Sequence, residues 1–311
     1  MSGRPLPVTD RPTRFKRPVL LIVGCGDVGL RVVRLLAGRW RVLALTSSAG
    51  RVAELRAAGA LPLHGDLDRP ASIARLAGLA DAVLHLAPPP VTGATDARTR
   101  HLVAALARSS RVRRLVYGST SGVYGDRAGA LTDETARPRP ATDRARRRVD
   151  AESRLRHFGR AHAVAVTLLR IPGIYALDRA GGDPRDRVAR GTPVLAAGDD
   201  VHTSHIHADD LARACVAALH RGRPQRAVNV VDDSALLMGD YFDLVADRFA
   251  MARPPRLSRD AAAAVLSPLQ MSFLAESRRL VNTRLKNELR LALRYPTVHD
   301  GLGGDASAAR E

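Results

Sequence analysis

The stretch Pro18-Val-Leu-Leu-Ile-Val-Gly-Cys-Gly-Asp-Val-Gly29 decides the fold of this chain. Its first half is a short continuous apolar run, which is typical of a strand that is covered on both faces of a sheet. Its second half follows the pattern G-x-G-x-x-G, and a helical segment begins there, at about Val28. Because the glycines follow a strand and precede a helix, they predict the first turn of a β-α-β unit that binds a dinucleotide.

The three glycines have separate roles in a loop of this kind. Gly24 permits the tight turn, Gly26 lets the backbone approach a pyrophosphate, and Gly29 lets the helix pack closely on the strand. The first helical residues, Asp27 and Val28, carry free N–H groups at the positive end of the helix dipole, where phosphates bind. An ordinary glycine turn is the alternative, but the sequence context favours cofactor binding.

Beyond this unit, short apolar runs continue to alternate with helical segments as far as about residue 170. That alternation predicts an α/β fold with a doubly wound, parallel Rossmann sheet, in which ligands bind at the C-terminal edge of the strands. Turns and shorter helices follow, and they would cover that edge. We expect a flexible basic leader (1–17), a dinucleotide-binding domain (18–170), a smaller C-terminal lobe (171–300) that returns one strand (about 227–231) to the sheet, and a flexible tail (301–311).

The end of the second predicted strand, Arg41–Thr46, distinguishes between the two nicotinamide dinucleotides. An acidic residue there would bind the adenosine ribose 2′-hydroxyl and would repel a 2′-phosphate. The chain instead has Thr46 and Ser47, with Arg51 nearby and no carboxylate before Glu54. Because hydroxyls and an arginine can bind a phosphate, the sequence favours NADP as the cofactor and leaves NAD as the alternative.

The turn after the third predicted strand, Leu61–His64, carries Asp66 and Leu67. Both residues are placed to reach the adenine edge of a bound dinucleotide, and simple turn chemistry is the alternative. Cys25, within the glycine loop, is expected to be a small buried side chain rather than a reactive thiol.

Composition restricts the classes of function. The 311 residues carry a net charge of +18, almost all of it from arginine, because Lys16 and Lys286 are the only lysines. The basic residues are interleaved with acids, and aromatic residues that could stack on bases make up only 4% of the chain. Nucleic-acid binding is therefore the weaker interpretation. No apolar run approaches the ~20 residues of a membrane span, and two cysteines form no disulfide framework, so we expect a cytoplasmic protein without membrane association.

Several further motifs resemble those of the extended short-chain dehydrogenase/reductases, the NAD-dependent epimerase/dehydratase family. They are Asp66-Leu67, His85-Leu-Ala87, Ser119-Thr-Ser-Gly-Val-Tyr-Gly125, Leu169-Arg-Ile-Pro-Gly-Ile-Tyr175 and His207-Ala-Asp-Asp-Leu-Ala212. The resemblance covers about residues 18–300 and implies a seven-stranded Rossmann core with a small substrate lobe. It also implies that Ala87 borders the cofactor. The glycine loop is one residue shorter than in typical extended members, as in the atypical branch of that superfamily.

The catalytic residues of that family are only partly present. The resemblance places its catalytic Ser or Thr at Thr120, and its Tyr-x-x-x-Lys pair at Arg144 and Arg148. An arginine does not lose its proton near neutral pH, so Arg144 cannot replace the tyrosine as a general acid. Arg148 could still bind the nicotinamide ribose, and both arginines could bind a phosphate or carboxylate of cofactor or substrate. The alternative is that both lie at the exposed end of an apolar helix stripe.

Two tyrosines, Tyr124 and Tyr175, are candidates for the missing proton donor, and packing is the alternative role for each. The resemblance suggests that both lie near the cleft, with Tyr175 at the substrate. Thr120 could orient a carbonyl through its hydroxyl, or it could make only a hydrogen bond at the strand end.

The histidines His202, His205 and His207 stand close to four aspartates in sequence, which could suggest a metal site. However, His207-Ala-Asp-Asp matches the element of the family in which the acids begin a helix. We therefore predict no metal site and expect Asp209 to be the N-cap of that helix.

Two classes of function fit these observations. The first is an NAD(P)-dependent oxidoreductase or epimerase-like enzyme that acts on a hydroxyl or carbonyl of a small substrate. Arg144 and Arg148 could bind an anionic group of that substrate. The second is a non-catalytic, NADP-responsive sensor or scaffold, which the loss of Tyr-x-x-x-Lys favours. Members of the family often form homodimers through the helices near 97–108 and 141–159. The resemblance therefore suggests a homodimer, but these helices carry many arginines here, so the sequence leaves the use of that interface undecided.

Overall fold

The structure, a computed structural model, describes residues 17–108 and 111–303. The expected leader up to residue 16 and the expected tail from residue 304 lie outside the described residues.

Within the described residues, seven parallel strands form the central sheet, as the sequence predicts. They are β1 (Val19–Val23), β2 (Arg41–Thr46), β3 (Leu61–His64), β4 (Ala82–His85), β5 (Arg114–Thr120), β6 (Ala165–Ile171) and β7 (Arg226–Asn229). The order across the sheet is β7-β6-β5-β4-β1-β2-β3. The strand order reverses between β1 and β4, and such a reversal opens the crevice in which doubly wound sheets bind their ligands.

The helices lie on both faces of this sheet and in the C-terminal lobe. They are α1 (Asp27–Leu36), α2 (Val52–Ala57), α3 (Pro70–Ile73), α4 (Ala97–Ala107), α5 (Asp143–Ala161), α6 (Arg185–Ala189), α7 (Ala208–Arg221), α8 (Met238–Arg248), α9 (Arg259–Val265), α10 (Pro268–Leu274), α11 (Thr283–Asn287) and α12 (Val298–Gly301). Single 3-10 turns cover Ala49–Arg51, Ala74–Leu76 and Ser121–Tyr124. No helix in the described ranges has the length and apolar character needed to cross a membrane.

The two faces of the sheet bury different helices because successive side chains of a strand point in opposite directions. Leu20 and Ile22 of β1 pack in one layer with α1 and α7. Leu21 and Val23 pack in the other layer with α4 and α5. This arrangement explains why β1 is apolar throughout: both of its faces are covered.

A third apolar cluster forms the core of the C-terminal lobe. Tyr241, Phe242 and Val245 of α8 pack there with Val194 and Leu195. Short strand pairs complete the lobe and its border: Gly173–Tyr175 with His205–His207, His202–Thr203 with Leu236–Leu237, Val194–Leu195 with Arg256–Leu257, and Leu131–Thr132 with Arg279–Leu280. The lobe thus has its own small core and meets the sheet at its C-terminal edge, where β5 and β6 end.

Candidate functional site

The glycine loop packs its first glycine against the neighbouring strand end. Gly24 has φ +85°, and a Cβ at this position would lie 2.3 Å from the backbone nitrogen of Ala87. A Cβ on Gly29 would lie 3.1 Å from the Cys25 sulfur, so helix α1 is held close to the strand. A Cβ on Gly26 would meet no atom within 4 Å. The loop is therefore packed behind and open in front, which is the shape that admits a diphosphate.

The N-terminus of α1 fits the same ligand. Gly26 is the N-cap, and no side chain caps the helix. The backbone N–H groups of the first turn and the positive end of the dipole therefore remain free for an anion. Val28 packs into the core, whereas the Asp27 carboxylate pairs with the side chain of Arg31 four residues further on. Cys25 is buried, and burial raises the pKa of its thiol to about 11, as suits a packing residue.

The end of β2 brings a basic side chain to the glycine loop. The Arg51 guanidinium donates a hydrogen bond of 2.7 Å from Nη1 to the carbonyl oxygen of Cys25 and pairs with Glu54. Thr46 is buried, and its Oγ1 accepts the N–H of Ser48 at 3.2 Å. Ser47 is exposed. The Arg51 guanidinium thus lies at the loop, and a 2′-phosphate site at Thr46, Ser47 and Arg51 stays a prediction.

The turn after β3 is built by its own polar groups. The Asp66 carboxylate accepts the N–H of Asp68 at 2.9 Å, and the Asp66 N–H donates to Ser72. Leu67 is buried, and its carbonyl oxygen lies 2.7 Å from Nδ1 of His101. These contacts account for the turn itself, and contact with an adenine stays a prediction.

A large cavity opens between the sheet edge and the C-terminal lobe, with a volume of about 730 Å³. Thr120, the last residue of β5, lines it, and its Oγ1 accepts the N–H of Gly122 at 3.3 Å. This bond uses a lone pair of the hydroxyl and leaves its hydrogen able to point at a substrate oxygen. Tyr241, Phe242 and Phe273 supply an aromatic part of the wall.

Tyr124 does not reach this cavity. Its side chain is fully buried, and its hydroxyl donates a 2.7 Å hydrogen bond to the amide oxygen of Asn229. The Arg170 guanidinium packs over its ring at 4.7 Å, and burial raises the pKa of the phenol. These contacts correct the expectation that Tyr124 lies near the cleft and give it a packing role.

Tyr175 lines the cavity, but its hydroxyl is directed elsewhere. The hydroxyl lies 3.4 Å from the carbonyl oxygen of Thr297, and the ring packs edge-on against His207. Burial raises the pKa of this phenol above its usual value. Tyr175 therefore lines the cavity with a packed ring rather than with a free hydroxyl.

The two arginines at the family's Tyr and Lys positions have separate surroundings. Arg148 is half-buried, and its Nη1 donates to the hydroxyl of Tyr117 at 3.0 Å and to the carbonyl oxygen of Gly118 at 2.8 Å. Arg144 is exposed at the cavity rim, where its guanidinium lies 4.4 Å from the ring centre of Phe273. Arg148 thus fixes α5 to the end of β5, and Arg144 faces the cavity.

Sequence reasoning missed Arg187, which lies on α6 and lines the cavity. Its guanidinium packs 4.4 Å over the ring of Phe242, and its buried Nε has no hydrogen bond. No carboxylate within the described residues pairs with it, and burial lowers its pKa. Nothing in the spacing of the sequence singles out this arginine among its many neighbours, because its burial depends on the folded lobe.

The histidine and aspartate cluster has a structural explanation. His207, not Asp209, is the N-cap of α7, since its Nδ1 accepts the Asp209 N–H at 3.2 Å. The Asp209 carboxylate instead pairs with Arg31 at 2.5 Å. His205 stacks on Tyr241, and burial lowers its pKa to about 3. In the parts of the chain that the structure describes, no group of three or more His, Cys, Asp or Glu side chains is arranged to hold a metal ion.

Comparison with protein-family models gives one assignment. The NAD dependent epimerase/dehydratase family matches residues 20–230, a range that contains the glycine loop, β5 and α5. The chain belongs to this family. A nicotinamide dinucleotide is therefore its expected cofactor, and the open, uncapped loop at Gly26 fits one. A search of curated protein sequences finds no match to this chain.

Several solved structures have the same fold as this chain. A functionally unknown conserved protein from Silicibacter pomeroyi DSS is 29% identical, with a TM-score of 0.78 over 92% of this chain and 96% of that one. UDP-glucose 4-epimerase from Thermotoga maritima, solved with UDP-glucose, is 21% identical, with a TM-score of 0.75 and the same coverage. UDP-glucuronic acid 4-epimerase from Bacillus cereus, in complex with NAD, is 17% identical, with a TM-score of 0.71 over 91% and 96%. At these identities, the two epimerases share the fold.

Proposed function

We propose that the chain is an NADP-dependent oxidoreductase or epimerase-type enzyme that acts on a hydroxyl or carbonyl of a small anionic substrate. The observation that carries this proposal is the placement of two openings on one edge of the sheet. The open glycine loop follows β1, and the 730 Å³ cavity begins at Thr120 of β5, with β4 between them. A dinucleotide that extends from the loop across β4 would bring its nicotinamide to the cavity.

The anionic character of the substrate is inferred from two arginines. Arg187 and Arg144 both line the cavity, and neither has an ion pair with a carboxylate of the described residues. A guanidinium that lines a cavity without a counter-ion favours a ligand that carries a carboxylate or phosphate. Phe242 and Phe273 lie under these two guanidinium groups, so the anion would bind beside an apolar wall.

The chemistry is divided between the cofactor and the chain. A bound nicotinamide supplies or accepts a hydride. The Thr120 hydroxyl is free to donate a hydrogen bond to the substrate oxygen and so to orient it. Because Arg144 cannot act as an acid and Tyr124 is buried in the core, the proton would come from water in the cavity.

The preference for NADP is tested at Arg51. Arg51→Gln is expected to weaken NADPH binding about tenfold more than NADH binding, because the guanidinium beside the loop would pair with the 2′-phosphate, which only NADPH carries. Titration followed by nicotinamide fluorescence measures both affinities. Arg56→Gln, exposed on the following helix α2, is the matched control. An equal loss for both dinucleotides would contradict the phosphate role, and tighter binding of NADH by the wild type would overturn the choice of NADP.

The activity is tested with a panel of aldehydes and ketones in pairs that differ by one carboxylate or phosphate. We expect NADPH oxidation with the anionic member of a pair, and Arg187→Gln should raise its KM about tenfold with little change in kcat. Arg160→Gln is the control, because Arg160 is exposed on α5 and does not line the cavity. NADPH binding without turnover across the whole panel would contradict the enzymatic proposal.

A non-catalytic, NADP-responsive protein is the second candidate. Two placements favour it: Arg144 stacks on Phe273 at the rim, and Arg148 is engaged with Tyr117 and Gly118. Neither arginine therefore replaces the tyrosine that acts as general acid in the family. The double substitution Arg144→Tyr with Arg148→Lys distinguishes the candidates, since a gain of turnover from an inactive wild type would show that only the acid was missing.

A further inference from the structure

One loop of the C-terminal lobe touches both the cofactor helix and the substrate cavity. It covers residues 176–184, between the short strand Gly173–Tyr175 and α6. On one side, Arg179 lies beside Asp27 at the start of α1, with 3.2 Å between Nε and Oδ2. On the other side, Gly181, Gly182 and Asp183 line the cavity. The loop therefore connects the two sites that the proposed function requires.

Asp27 is an unfavourable neighbour for a diphosphate. It is the first residue of α1, and its carboxylate would repel phosphates at that helix end unless its charge were neutralised. Arg31 neutralises it in part, but Arg31 is shared with Asp178 at 2.6 Å and Asp209 at 2.5 Å. The side chain of Arg31 is only 9% exposed, so these contacts fix its position. It has no freedom to turn toward a ligand.

Arg179, unlike Arg31, has N–H groups that are not used in hydrogen bonds. Its Nε is buried and, although close to Asp27, makes no hydrogen bond. Its Nη1 donates one long hydrogen bond, 3.4 Å, to the carbonyl oxygen of Ile174. Among the described residues, the guanidinium therefore has more N–H groups than acceptors, and its Nε lies 3.2 Å from Oδ2 of Asp27, the first residue of α1.

We propose that Arg179 binds the diphosphate of the dinucleotide from the lobe side, opposite the backbone N–H groups of α1. The inference rests on the dinucleotide site of the proposed function, but not on any redox activity. Phosphate oxygens beside the Asp27 carboxylate complete the hydrogen bonding of a guanidinium that this carboxylate alone leaves unfinished. Cofactor binding then fixes residues 176–184, and with them one wall of the substrate cavity.

The experiment compares two variants that break the same ion pair from opposite ends. Arg179→Gln is expected to weaken binding of NADPH, or of NADH if the wild type prefers it, by about tenfold or more. Asp27→Asn removes the competing carboxylate and is expected to tighten binding about threefold. Nicotinamide fluorescence titration of the full chain measures both, and thermal unfolding of each variant checks that the fold persists. Arg34→Gln, on the exposed side of α1, should bind as the wild type does.

The two substitutions are expected to change the dinucleotide affinity in opposite directions, and this distinguishes a residue that binds the cofactor from one that only holds the loop. If the Arg179–Asp27 pair only held the loop in place, both substitutions would weaken binding alike, and that result would overturn the proposal. Equal affinity of Arg179→Gln and the wild type would also overturn it, while leaving the proposed cofactor site intact. A wild type that binds neither dinucleotide would remove the proposed function itself, and the role of Arg179 with it.

Discussion

Gly24→Ala is expected to abolish measurable dinucleotide binding and to lower the free energy of unfolding by about 3 kcal/mol. The added Cβ would lie 2.3 Å from the backbone nitrogen of Ala87, and the residue would have to keep φ +85°. Neither strain can be relieved by a side chain, because the opposing atoms are backbone of the strand end beside β1. Urea unfolding and NADPH fluorescence titration measure the two effects.

Gly26→Ala provides the matched comparison, because its effect should fall on the ligand alone. A Cβ there meets no protein atom within 4 Å, so stability should fall by no more than about 1 kcal/mol, the loss of a glycine N-cap. Dinucleotide binding should nevertheless weaken about tenfold or more, since the Cβ would occupy the space through which the diphosphate approaches. Gly198→Ala, equally open and distant from the loop, should change neither quantity. Wild-type affinity in Gly26→Ala would show that the diphosphate does not bind here.

The fold could be predicted because its signals are local. The apolar run of β1, the glycine pattern and the alternation of strands with helices each depend on residues that are close in sequence. Those signals predicted a parallel Rossmann sheet, and the structure contains one. The conformation of Gly24 followed from the same reasoning, since a tight turn between a strand and a helix favours a residue without a Cβ.

The site was less predictable because its polar contacts join residues that are distant in sequence. Tyr124 and Asn229 form a buried hydrogen bond across 105 positions, and no spacing indicates it. Arg31 similarly binds Asp209, which removes that aspartate from the helix cap that its position suggests. In a chain so rich in arginine, sequence alone does not distinguish a guanidinium that faces a cavity, such as Arg187, from one that faces water.

The free energy of unfolding of the wild type is expected to fall as the pH rises, and Asp232→Asn is expected to abolish this fall. Asp232 is 2% exposed, and its Oδ2 is buried without a hydrogen bond, while its Oδ1 accepts the Ser234 N–H at 2.9 Å. Burial, with the charges of Asp233 and Asp210, raises the pKa of this carboxyl to about 8 from an ordinary value of 3.8. The folded protein therefore keeps the proton to a higher pH than the unfolded chain does.

The sign of the pH effect follows from this difference. Below pH 4 both states bind the proton, so the full stability is present, and between pH 4 and pH 8 folding must take up a proton. The free energy of unfolding should therefore fall by about 3 to 5 kcal/mol over that interval. In Asp232→Asn this part of the slope should be absent, as measured by urea unfolding at pH 5, 7 and 9.

Asp233→Asn is the control that separates Asp232 from its acidic neighbour. Asp233 is partly exposed and pairs with Lys286 at 2.5 Å, and this pair, with the Asn282 amide, lowers its pKa against the opposing effect of burial. Its contribution to stability is lost only as the pH falls below 3.8, outside the interval measured. Asp233→Asn should keep the wild-type slope between pH 5 and pH 9. If Asp232→Asn keeps that slope as well, the Asp232 carboxyl is already ionised at pH 5, and neighbouring groups stabilise its buried negative charge.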